Sequence, residues 1–186
     1  QALKTAIQSG DTDAIKTIVE NTSARVLAPA DVIEALAKQG LSPDSLTPAS
    51  DGQTLRVGAF DLEIQGGYDN SFDAKGRMNK FSLQIAHGPT TLWYSGDCHA
   101  LPPALQGKRL DSVFCWSSPD VIAHIARMTP PPARFILMHH DKHEPGRFWC
   151  SRDAAQDALA LSQKLPGVRI YIPDRLGSFA SFASSI

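Results

Sequence analysis

No apolar run in this chain approaches the ~20 residues that a membrane-spanning helix needs, and no signal-peptide pattern stands at its start. Cysteine is scarce. Cys98, Cys115 and Cys150 are odd in number and widely spaced, which argues against a disulfide framework, and no CxxC pair exists to build a structural zinc knuckle. Reduced thiols of this kind point to a cytoplasmic protein. An excess of either charge is missing as well: 18 Lys and Arg stand against 19 Asp and Glu, for a net charge of −1. The basic residues form no stripe, so neither nucleic acid nor an anionic membrane is expected as a partner. There is no GxSxG elbow, no Walker A loop and no GxGxxG, and Cys98 and Cys115 lie in no cysteine-hydrolase signature. Serine-hydrolase, P-loop and dinucleotide-binding chemistries therefore have no support.

What is present suits a globular domain. With 42% apolar and 20% charged residues over 186 positions, residues 1–186 are expected to form a single domain with a real core. Apolar spacing predicts helices over 1–8, 12–21 and 31–39, with Gly40 as the residue that ends the third. A short strand is expected over 24–28, and 41–53, rich in Ser, Pro, Asp, Thr and Gly, reads as a connector. Strands follow over 54–57 and 60–64, then 80–86 and 91–94 joined by a turn at His87-Gly88-Pro89. The second half alternates: strand 112–116, helix 119–128, strand 135–138, helix 154–165 and strand 168–172, with an edge strand over 177–182. Hairpin-like strands early and βαβ-like alternation late are the expected organisation.

Two short segments concentrate titratable residues just past a strand, where open α/β sheets hold their ligands. The first is Tyr94-Ser95-Gly96-Asp97-Cys98-His99: glycine permits a sharp turn, and Asp97 supplies a hard oxygen donor suited to a divalent cation. The second is Phe135-Ile136-Leu137-Met138-His139-His140-Asp141, with His143 and Glu144 after it; imidazole is the commonest metal ligand, and a nearby carboxylate commonly orients it. Four of the six histidines fall in these segments, which points to a metal site. A weaker candidate, Gly66-Gly67-Tyr68-Asp69-Asn70, also follows a strand but, taken alone, reads as a β-turn.

In their order and spacing these segments resemble the metallo-β-lactamase superfamily, and within it the L-ascorbate-6-phosphate lactonase branch. Tyr68-Asp69 resembles the aromatic-Asp pair of that branch, Asn79 an Asn on its next strand, Tyr94 to His99 its "SGD-x-H" strand end, and Met138-His139-His140-Asp141 its "HHD" strand end. The resemblance implies an α+β, αββα sandwich of two mixed β-sheets flanked by helices, incomplete at the N-terminus. It implies Asp97 and His139 as metal ligands, and Asp69, His99, His140 and Asp141 as groups that hold water or substrate. The implied activity is that of a metal-dependent hydrolase using manganese or zinc on a small-molecule substrate, a phosphorylated sugar lactone or similar ester, through metal-activated hydroxide. A phosphodiesterase on the same fold and a degenerate, non-catalytic module are the alternatives; a homo-oligomer is left open. Lys142 and Arg147 lie near enough in sequence to serve a phosphate. The HxHxDH motif of the superfamily occurs nowhere in the chain, and the first residue is Gln1 rather than Met. The expectation is a fragment, the C-terminal two-thirds of a longer protein; a true degenerate lacking the motif is the alternative.

Overall fold

The computed structural model describes residues 12–66, 76, 78–96, 98, 101–116, 119–138, 159, 162–163 and 165–172. The described chain opens with a helix, α1 (Thr12–Thr22), and then a βαβ unit: β1 (Val26–Ala28), α2 (Ala30–Lys38) and β2 (Leu46–Pro48). Pro29 follows β1 and precedes α2, a position where its missing N–H has no helical partner to lose. Gly40, at φ 88°, ends α2 as expected, and its N–H donates to the Ala37 carbonyl at 3.0 Å. Strand β2 pairs in parallel with β1, from Val26 with Leu46 to Ala28 with Pro48. Nothing in the Pro- and Ser-rich stretch 41–53 had indicated this strand; only Leu46 is buried within it, too little for an alternating pattern. Ile15 and Val19 of α1, Leu36 of α2, and Val26, Ala28, Leu41 and Leu46 close one apolar cluster.

The remaining strands form a seven-stranded sheet whose spatial order follows the sequence. They are β3 (Thr54–Val57), β4 (Phe60–Gly66), β5 (Phe81–His87), β6 (Thr90–Tyr94), β7 (Ser112–Trp116), β8 (Arg134–Met138) and β9 (Arg169–Tyr171). Pairing from β3 to β6 is antiparallel, and from β6 to β9 parallel. The two strand styles read from the sequence thus meet at β6 in one sheet. The connection from β6 to β7 carries a short 3-10 turn, Pro103–Leu105, rather than an α-helix. After β7 comes α3 (Pro119–Ile125), three residues shorter than its apolar pattern suggested. Beyond Ile125 the chain continues through a Met128 N–H to Ile125 carbonyl bond, which tightens the last turn, before the prolines at 130–132.

Alternation along the strands decides where the core sits. Trp93, Val113, Cys115, Phe135 and Leu137 share one face and are fully buried. Ile122 and Ile125 of α3, with Leu101, Leu105 and Leu110 from the β6–β7 connection, seal that face. Each such side chain contributes about 1.5–3 kcal/mol by leaving water, which makes this the dominant cluster of the parallel half. On the opposite face Leu83, Leu92, Tyr94 and Phe114 are only half-buried. Asp111 fixes the β6–β7 junction twice: its N–H donates to the Thr91 carbonyl, and its Oδ2 accepts the Thr91 N–H, both at 2.8 Å. Among the described residues no helix is long and apolar enough to cross a membrane. The predicted helix over 154–165 is described only at 159, 162, 163 and 165, and the predicted elements over 1–8 and 177–182 lie outside the described residues.

Candidate functional site

Strand direction sets the strands that precede the candidate segments with their C-terminal ends on one edge. Strands β4, β6, β7 and β8 run the same way, because β4 and β6 are each antiparallel to β5 while β6, β7 and β8 are mutually parallel. Their C-terminal ends therefore share an edge. In the sequence, β4 is followed by Gly67-Tyr68-Asp69, β6 by Ser95-Gly96-Asp97, and β8 by His139-His140-Asp141. Register sharpens this. Tyr94 and Ile136 both pair with Phe114 of the intervening β7, and Asp97 and His139 each lie three residues further along their chains. Sites two strands apart at equal register are separated by about 10 Å.

The approach to Asp97 is tightly held. The Ser95 N–H donates to the Phe114 carbonyl at 2.9 Å, and the Cys98 N–H donates to the Ser95 carbonyl at 3.0 Å, closing a four-residue turn over 95–98. Gly96 sits in that turn at φ 55°, a conformation that costs an L side chain about 1–2 kcal/mol. A Cβ placed on it would lie 3.2 Å from the Phe81 carbonyl oxygen, so the glycine serves close packing of β6 against β5. Ser95 is fully buried, with its Oγ donating to the Gly96 carbonyl at 3.1 Å; Cys98 is buried as well.

Behind the edge, one sheet face carries polar side chains that the sequence had not singled out. The Ser82 hydroxyl donates to the Gln65 carbonyl at 3.2 Å. Lys108 reaches over from the β6–β7 connection, its Nζ donating to Glu63 Oε2 at 3.2 Å and to Gln84 Oε1 at 3.0 Å. Among the described residues, the buried Gln65 carboxamide and Trp93 indole N–H have no hydrogen-bond partner. At the end of β4, Asp51 Oδ1 accepts the Gly66 N–H at 2.7 Å. Alternating polar residues on β4 and β5 were the only signal for this face, and alternation does not tell a solvated side chain from a sealed one. The Cys115 thiol, among apolar side chains on the same sheet, is pushed by burial from 9.0 to about 12, which makes it a poor nucleophile.

Of the candidate chemical residues, Asp69, Asp97, His99, His139, His140 and Asp141 lie outside the described residues, as do Tyr68, Lys142, His143, Glu144 and Arg147. Among the described residues, no group of three His, Cys, Asp or Glu side chains could hold a metal ion. Asn79 is described and exposed, three residues after Gly76.

No family model and no curated protein sequence matches the chain. Solved structures do. The metallo-β-lactamase fold protein YhfI from Bacillus subtilis superposes with a TM-score of 0.59 at 12% identity, over 88% of this chain and 68% of that one. A protein named as a metal-dependent hydrolase from Parabacteroides distasonis gives 0.56 at 12% identity, over 80% and 63%. The diiron β-hydroxylase CmlA from Streptomyces venezuelae gives 0.53 at 15% identity, over 79% and 38%. The chain thus spans between 38% and 68% of the length of these proteins. At such identities the likeness concerns architecture, and together with the mixed sheet and its helices it gives this chain the metallo-β-lactamase fold.

Proposed function

We propose that the protein is a metal-dependent hydrolase whose cation is held at the sheet edge where β4, β6 and β8 end, with Asp97 and His139 among its ligands. The observation that carries this reading is the common register of β6 and β8 on Phe114, from which Asp97 and His139 follow at equal distance in sequence. A gap of about 10 Å between strands two apart is one that a carboxylate and an imidazole, reaching from either side with metal–ligand bonds of ~2 Å, can bridge. The donor set suits a divalent ion of intermediate hardness, manganese or zinc. Asp69, His99, His140 and Asp141 follow the same strand ends and are assigned to holding water and substrate. The chemistry the cation supplies is acidification of water, from a pKa of ~16 towards ~7, and polarisation of the electrophile.

The fold neighbours include a diiron β-hydroxylase beside a metal-dependent hydrolase, so architecture alone does not choose the reaction. The substrate favoured here is a phosphorylated sugar lactone, on the strength of the lactonase-like strand ends Ser95-Gly96-Asp97-Cys98-His99 and His139-His140-Asp141. A small-molecule site in the cytoplasm is the setting. The test is a panel of sugar-phosphate lactones and phosphodiesters, run on the full chain with added Mn2+ or Zn2+, beside Asp97→Ala and His139→Ala. Metal-dependent lactone hydrolysis lost in both variants is expected; turnover retained in Asp97→Ala would refute the assignment.

A further inference from the structure

We propose that Asp51 is a positioning residue for this edge, fixing the end of β4 from which Tyr68 and Asp69 follow in sequence. Its bearing on the metal rests on the hydrolase reading; the hydrogen bond itself does not.

The turn that carries Asp51 lies along β4 on the side away from β5. There the Gly52 N–H donates to the Ile64 carbonyl and the Ile64 N–H to the Gln53 carbonyl, both at 2.8 Å. The next β4 donor on this side, two residues on, is the Gly66 N–H, and its acceptor is the Asp51 carboxylate at 2.7 Å. A side chain takes the place of the ladder's next backbone carbonyl, at the last residue of the strand. The turn is itself braced, by the Gln53 N–H on the Ser50 carbonyl at 3.1 Å and the Ser50 N–H on Gln53 Oε1 at 2.9 Å. The sheet has no need of this bond for its register, since β4 and β5 pair at six positions from Asp61 with Ala86 to Gly66 with Phe81. What the carboxylate adds is local. A charge-assisted bond holds the final peptide of β4 in the sheet and so sets where the chain departs towards Gly67. A strand end without its last bond frays first.

The experiment compares Asp51→Ala and Asp51→Asn with the parent, in the full chain, by amide hydrogen exchange at Gly66 and Gly67 and by calorimetric titration with Mn2+ alone. Asp51→Ala is expected to speed exchange at these amides about tenfold, the loss of one hydrogen bond, and to weaken Mn2+ binding about tenfold, as changes to groups supporting a metal site do. Asp51→Asn keeps an acceptor oxygen and is expected to retain most of both. Unchanged exchange in Asp51→Ala would overturn the assignment, and so would faster exchange with Mn2+ affinity intact. Should the parent bind neither Mn2+ nor Zn2+, the hydrolase reading fails, and exchange at Gly66 and Gly67 alone decides the role of Asp51.

Discussion

Single residues set the local terms of this edge, and several of them invite direct measurement. Gly96 combines a positive φ with a Cβ position 3.2 Å from the Phe81 carbonyl oxygen. Gly96→Ala is expected to destabilise the fold by about 1–2 kcal/mol from backbone conformation alone, with any shift of β5 adding to it. Urea titration of the variant checks this, and a loss below ~0.5 kcal/mol would mean that the turn relaxes freely. Cys115 carries a pH signature. Its thiol titrates near 12 in the folded protein and near 9.0 in an exposed chain, so the folded state holds its proton where the unfolded state releases it. Its contribution is fully present below pH 9 and declines as pH rises towards 12, by about 1.4 kcal/mol per pH unit. Comparing Cys115→Val with the parent at pH 8 and pH 10.5 isolates this: the parent's stability is expected to fall more steeply, and parallel declines would argue that the thiol is not sealed. Gln65 offers a third case. An unpaired buried amide costs about 1–3 kcal/mol, so Gln65→Leu, similar in volume, is expected to raise stability by about 1 kcal/mol. A fall in urea midpoint would show instead that the amide meets partners in solution.

At the scale of elements, the parallel half leans on α3. Ile122 and Ile125 are fully buried against Val113, Cys115 and Phe135, so Ile122→Ala is expected to cost about 2–5 kcal/mol, the range for a large-to-small change in a well-packed core. Thermal unfolding measures it, and a loss under ~1 kcal/mol would mean that α3 is peripheral to the sheet. Lys108, whose side chain is 40% exposed, contrasts with this: its ion pair with Glu63 is worth at most about 1 kcal/mol. The same contrast explains what the sequence could reveal. Strands β7 and β8 were legible because Val113 to Trp116 and Phe135 to Met138 are short continuous apolar runs, the pattern of a strand in a core. Strand β2 was not, since its three residues Leu46-Thr47-Pro48 carry one buried side chain and a proline, and tertiary pairing with β1 alone makes them a strand. Asp97 and His139 could be singled out from residue type and from their place after apolar strands. Asp51 could not, because an aspartate in a Ser-Asp-Gly turn looks the same whether its carboxylate meets solvent or the Gly66 N–H.

Taken as a whole, the described residues form a two-stranded parallel sheet and one seven-stranded mixed sheet, and the larger sheet divides its polar and apolar work between its halves. The parallel half is packed from one side by α3 and the β6–β7 connection, and β6, β7 and β8 end together on one edge as a platform. The antiparallel half brings β4 to the same edge and is braced there by the 50–53 turn, while Lys108 ties Glu63 to Gln84 further back along the strands. Such a platform suits groups that must converge on one cation, because ligands on packed strands are better placed than ligands on free loops. Binding there then feeds back on global stability, since an ion that binds only the folded state adds RT ln(1 + [M]/Kd). In the full chain, Mn2+ or Zn2+ at a hundredfold excess over Kd is expected to add about 2.7 kcal/mol and to raise the melting temperature, with the gain lost in both Asp97→Ala and His139→Ala. Because the two residues follow different strands, loss of the gain in only one variant would separate them and break the shared site. A melting temperature indifferent to both metals would leave the platform as a scaffold without its ion.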